Sequence, residues 1–168
     1  MSLLGLFTAC KSQKNDNDKT DGTKKEKPTM PQGQLNKLEY NYSGMRIERF
    51  SDFELQRKKD GNGATLKFRH FNREDLSFEV SDTLLDAARR IIEEDKMYEY
   101  GISYSIQIPD GERILDGFSW YFSATFEDQQ SIYSKGYHAS PDGDGLYHIS
   151  QLLYDAAEKC VNDSENKE

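Results

Sequence analysis

Three histidines, His70, His138 and His148, are the side chains best suited to acid–base or metal chemistry near neutral pH. His138 and His148 flank a loop holding Asp142 and Asp144, so two imidazoles and two carboxylates lie close in sequence. Their spacing fits no ligand motif for zinc. Asp142-Gly143-Asp144-Gly145 lacks the further oxygen ligands and the closing Glu of a calcium loop, and it reads as a turn feeding a helix cap. No G-x-S-x-G, HExxH, P-loop or Rossmann fingerprint occurs. Glu93-Glu94 and Glu127-Asp128 read as solvated helix and turn positions, not as a glycosidase pair. The sequence therefore predicts a non-catalytic protein that needs no metal and no cofactor. The rival reading is a hydrolase centred on His138, with Asp116, Ser119 and Ser134 around the same groove.

Aromatic residues carry more information. Ten Tyr and nine Phe are a rich supply for 168 residues. Phe53, Phe68, Phe118, Trp120, Phe122 and Phe126 read as core. Tyr98, Tyr100, Tyr104, Tyr121, Tyr133 and Tyr137 have no place in that core and read either as side chains half-buried under helix or loop edges or as a binding face. Tyr121, Tyr133 and Tyr137 fall on the opposite parity of their strands and are expected on the sheet face away from the core. Exposed tyrosines serve recognition, because each offers an apolar ring and a hydroxyl. These three form the candidate binding face, for a protein, peptide or glycan ligand.

The elements that would position them follow from periodicity. Residues 38–45 and 49–58 read as extended. Asp60-Gly61-Asn62-Gly63 is a turn signal, and 64–71 alternates Leu66, Phe68 and His70 against Thr65, Lys67 and Arg69, giving a strand paired across that turn. Residues 76–80 add a short extended segment. Ser81 or Asp82 can cap a helix over 83–97, with Leu84, Leu85, Ala88, Ile91 and Ile92 on one face. A looser stretch spans 98–108, and 109–111 turns the chain. Residues 118–126 alternate strictly, 127–130 make a hairpin connection, and 131–138 return antiparallel. The last helix is expected over 146–161, with Leu146, Ile149, Leu153, Ala156 and Cys160 aligned, and 162–168 should fray. Hairpins with helices set apart predict an α+β fold: an antiparallel sheet with two main helices packed on one face.

Length and charge set the organisation. The 168 residues suit one domain, and no segment approaches the ~18 apolar residues of a membrane span. Residues 11–34 contain almost nothing apolar and read as a disordered linker, leaving a single domain over 35–161. Seven Lys against four Asp or Glu give 11–37 a net +3, while the rest of the chain carries −11. An acidic body repels nucleic acid, so no nucleic-acid partner is expected. The two cysteines, Cys10 and Cys160, form no CxxC pair, and Cys160 reads as a buried, inert thiol.

Phe7-Thr8-Ala9-Cys10, after the apolar stretch from Leu3, resembles the lipobox of bacterial lipoproteins. Thr8, Ala9 and Cys10 fit; Phe7 stands where Leu is usual, and no Lys or Arg precedes Cys10. The resemblance implies acyl chains on Cys10 that anchor the protein to a membrane, since several chains are needed for a stable hold. Lys11 after Cys10 implies the outer membrane by the same resemblance, with the periplasmic and surface faces both open. A second stretch, Asp116-Gly117-x-Ser119-Trp120 followed by Phe126, Asp128, Ser134, Gly136 and Pro141, resembles a family of bacterial proteins, lipoproteins among them, with no assigned activity. That resemblance implies shared architecture and supplies no mechanism.

Overall fold

The computed structural model describes residues 27–44, 49–71, 75–107 and 117–166. Seven strands form one sheet: β1 (Leu35–Ser43), β2 (Phe50–Arg57), β3 (Ala64–His70), β4 (Asp75–Val80), β5 (Ser103–Ser105), β6 (Ser119–Phe126) and β7 (Ser131–Tyr137). Their spatial order is β4-β3-β2-β1-β6-β7-β5. Helix α1 (Thr83–Glu94) follows β4, and helix α2 (Gly145–Glu165) closes the chain. This is the α+β architecture that the alternation and the helical periods predict.

The period of two divides each central strand between two environments. Leu38, Phe53, Leu55, Leu66, Phe68, Phe122, Ala124 and Phe126 point to one side and are buried. Leu85, Ala88 and Ile92 of α1 and Ile149, Leu153, Ala157 and Val161 of α2 complete the same core, so both helices cover one face. The other face stays open to solvent. Fully burying one such side chain stabilises by about 1.5–3 kcal/mol, which is why the alternation fixes strand register.

The structure differs from the sequence expectation in four places. The sheet is not wholly antiparallel: β5 pairs parallel with β7, Tyr104 lying opposite Gly136. Helix α1 ends at Glu94, and Lys96, at φ 50°, diverts the chain into a single 3-10 turn over Met97–Glu99. Helix α2 continues through Glu165 where fraying was expected. Its buried stripe is Ile149, Leu153, Ala157 and Val161, an i,i+4 row, so Ala156 and Cys160 lie on the flank and are only half-buried. Burial, then the nearby Asp163 carboxylate, push the Cys160 thiol pKa up.

Chain contacts begin ahead of β1. Met30 packs against the core, Lys27 pairs with Glu99 at 3.3 Å, and the Arg89 guanidinium donates to the Gly33 carbonyl. Cys10, Asp116 and the turn expected at 109–111 lie outside the described residues.

Candidate functional site

The residues of the hydrolase reading sit in different environments. Ser119 lies opposite Tyr137 on the open face, whereas Ser134 lies opposite Phe122 on the core face. Ser134 is fully buried, and its hydroxyl donates to the Gly101 carbonyl at 2.6 Å, tying β7 to the start of the β5 segment. His138 takes the left-handed conformation, at φ 56°, just past β7. Its ring packs edge-on against Phe118 and Tyr137, and Nε2 is buried with no hydrogen-bond partner. Gly117 makes that position possible, because a β-carbon there would fall 1.5 Å from the imidazole. His148 is elsewhere: its Nδ1 meets Asp95 at 2.7 Å, joining the first turn of α2 to the end of α1. His70 closes β3, with its ring against Phe50. Among the described residues, no three His, Cys, Asp or Glu side chains are grouped to hold a metal ion.

The open face divides into two unlike halves. Across β1 to β4 it is a lattice of opposite charges. Lys37 reaches Glu39 at 2.9 Å and Glu54 at 2.8 Å, and Lys67 reaches Glu54 from the other side at 3.0 Å. Hydrogen bonds from Lys37 and then Lys67 hold the Glu54 carboxyl below its usual range. A bulge in β2 turns Asp52 to φ 53°, where its carboxylate meets Arg69 at 2.7 Å and accepts from the Asn41 amide. Arg69 also pairs with Asp75 on the edge strand. Charges matched in this way leave little field for a ligand.

Across β6 and β7 the same face changes character. Ser119, Tyr121, Ser123 and Thr125 project from β6, and Ser131, Tyr133, Lys135 and Tyr137 from β7. Tyr133 is 39% exposed and Tyr137 56%. Tyr121 and Tyr133 meet edge to face with ring centroids 5.4 Å apart, and Lys135 lies directly opposite Tyr121 between the two β7 tyrosines. The three tyrosines singled out in the sequence thus lie on one strip, with a single cation at its centre. Ile102, 73% exposed, stands beyond the strip at the β5 edge.

A second concavity lies on the helix side and draws on residues that no sequence motif links. It is a cleft of about 320 Å³ between the first half of α2 and the ends of β1, β2 and β6. Phe50, Phe53 and Trp120 form its floor. The Tyr154 hydroxyl donates to the Phe50 carbonyl at 2.8 Å and pins α2 across one side. The indole of Trp120 donates to the Ala139 carbonyl at 2.7 Å, which fixes the other. Tyr40, Tyr42, Tyr147 and Tyr154 come from two segments a hundred residues apart, so only the antiparallel closure of the fold brings them together.

Comparison with protein-family models, with curated proteins and with solved structures gives no match. Among the described residues no helix is long and apolar enough to cross a membrane.

Proposed function

We propose that this chain is a non-catalytic binding module of the bacterial cell envelope, anchored by lipid on Cys10. Its partner is a protein segment bearing a carboxylate, recognised by Tyr121, Tyr133, Lys135 and Tyr137. The observation that carries this reading is the contrast between the halves of one solvent-facing sheet. In a chain with 31% charged residues, the β6–β7 strip presents hydroxyls and tyrosine rings around one lysine, while the β1–β4 half neutralises its own charges. Interface centres are depleted in charge and enriched in tyrosine, whose ring offers contact area for the loss of only two side-chain rotations. Lys135 then supplies the one directional electrostatic contact, and the flanking serines and threonine adaptable hydrogen bonds.

Support for the anchor is the lipobox resemblance at Cys10 and the lysine-rich spacer behind it.

The test uses the full-length protein expressed in a bacterial host. Tyr133→Ala and Tyr137→Ala should keep the fold and each weaken capture of the partner by about thirtyfold or more, the mark of a binding hot spot at about 2 kcal/mol. Cys10→Ala should move the protein from the detergent phase to the aqueous phase and abolish incorporation of labelled lipid. Unchanged capture by both tyrosine variants would remove the binding face, and unlipidated wild-type protein would remove the anchor.

A further inference from the structure

Strand β4 closes one end of the sheet with its apolar row unfinished. Every other described strand longer than three residues has fully buried positions. In β4 the helix-facing residues Leu76, Phe78 and Val80 are only half-buried, and Asp75, Ser77 and Glu79, which alternate with them, are exposed. A hollow of about 490 Å³ opens alongside, between β4 and the two helices. Val80, Leu84, Ala156 and Cys160 give it apolar walls, and Lys159 and Asp163 also line it. The second apolar stripe of α2, unused by the core, therefore faces the same edge.

The backbone of β4 has an outward row of its own. The Lys58 N–H donates to the Gly63 carbonyl at 3.0 Å across the β2–β3 turn, so alternation along β3 aims the backbone of Ala64, Leu66 and Phe68 at β4. Their partners Val80, Phe78 and Leu76 bond inward. The Val80 carbonyl fits that direction, lying 2.9 Å from where a β-carbon on Gly63 would stand. The N–H and C=O groups of Ser77 and Glu79 consequently point away from β3. Exposed edges are commonly guarded by Pro, Lys, a bulge or short length. Asp75–Val80 contains no Pro or Lys and pairs with β3 through all six residues without a register shift, whereas β5 at the opposite edge has three residues. Both β4 carboxylates are already paired within the chain, Asp75 with Arg69 at 3.2 Å and Glu79 with Lys58.

We propose that β4 is a dimerisation edge, pairing antiparallel with β4 of a second copy about a two-fold axis at Phe78. The open positions call for an extended strand, apolar on alternate residues toward the helices and polar toward the open face. β4 is itself such a strand, and a two-fold axis uses one patch twice. A slip by one residue would set apolar rows against polar ones. Placing the axis at Ser77 would put Asp75 opposite Glu79 of the second copy, and placing it at Glu79 would oppose the two Glu79 carboxylates. With the axis at Phe78, no carboxylate faces another. Leu76 then lies opposite Val80, the two Phe78 rings meet, and Ser77 exchanges its outward N–H and C=O with those of Glu79. The pairing completes the half-buried row and is independent of the tyrosine strip on β6 and β7.

The experiment uses the full-length chain with Cys10→Ala and Cys160→Ala, which removes both native thiols. Sedimentation velocity from about 1 to about 300 μM, a span that covers micromolar affinity, should show a monomer converting to a dimer as concentration rises. Ser77→Pro, which deletes only an outward N–H, should stay monomeric with an unchanged circular dichroism spectrum. Phe78→Cys, oxidised with copper phenanthroline, should give a covalent dimer, because directly opposite residues of such a pair have Cα atoms about 4.5 Å apart. Ser77→Cys should not, since the two copies of that residue would lie diagonally, about 7–8 Å apart and beyond disulfide reach. A monomer at every concentration would overturn the proposal and leave the edge to a strand of another protein. Dimerisation of Ser77→Pro, or crosslinking of Ser77→Cys as readily as Phe78→Cys, would overturn it as well.

Discussion

Gly136 has no room for a side chain. A β-carbon there would lie 2.1 Å from the Trp120 indole nitrogen and 2.3 Å from the Ala139 carbonyl. Trp120 therefore lies across the glycine opposite it in β7, and its N–H closes the hydrogen bond to Ala139. Gly136→Ala should destabilise the fold by about 1–3 kcal/mol, the range for overpacking a filled site, read as a lower urea midpoint. A second residue-scale prediction concerns His148. Its hydrogen bond to Asp95 raises the imidazole pKa, with Asp144 adding to the effect. A raised folded pKa means that the pair's stabilisation is complete below the ordinary histidine range and is lost as pH climbs through the raised value. An NMR titration of the His148 ring should show a midpoint above that range, and Asp95→Asn should bring it down. Tyr100 is an inverse case: burial first, and Asp95 second, push its phenol to about 12, so it stays neutral beside the start of α2.

At the scale of elements, the two faces of the β6–β7 pair make the sharpest comparison. Phe122→Ala removes a fully buried ring and should cost about 3–5 kcal/mol. Tyr137→Ala, across the pair on the open face, should fall within about 0.5 kcal/mol of wild type. Chemical denaturation of both variants checks the assignment of faces. Most of this arrangement was legible because a period of two is easy to read where one face is apolar, as in Phe118-x-Trp120-x-Phe122. Leu85, Ala88 and Ile92 were legible for the same reason at helical spacing. What escaped had no local signal. Three residues of β5, Ser103-Tyr104-Ser105, are too few to show a period, and their parallel pairing with β7 is a long-range choice. The end of α1 depends on Lys96 adopting a left-handed conformation that an ordinary lysine does not advertise. In α2 the apolar residues suit two neighbouring stripes, and only packing against β2 and α1 selects Ala157 and Val161 over Ala156 and Cys160. The tyrosine strip followed from strand parity; the cleft did not, because its walls converge from β1, β2, β6 and α2.

Across the whole molecule, charge and the open face both bear on the proposed use. On the proposed lipid anchoring, the acidic body repels anionic headgroups while the basic segment 11–37 is attracted to them. The described chain ahead of β1 runs past the β5–β7 edge, where Lys27, Pro28, Thr29 and Pro31 line a hollow shared with Ile102 and Tyr133. The described chain thus enters the domain beside the tyrosine strip, away from the ion-paired half of the sheet. The most direct measurement is photo-crosslinking in intact cells, with benzoylphenylalanine placed at Tyr133, at Tyr137 or, as the comparison, at Lys67 on β3 of the same face. Discrete protein adducts from the first two positions and none from Lys67 are the predicted result. No adduct from Tyr133 or Tyr137, or the same adducts from Lys67, would contradict a binding face built on those tyrosines.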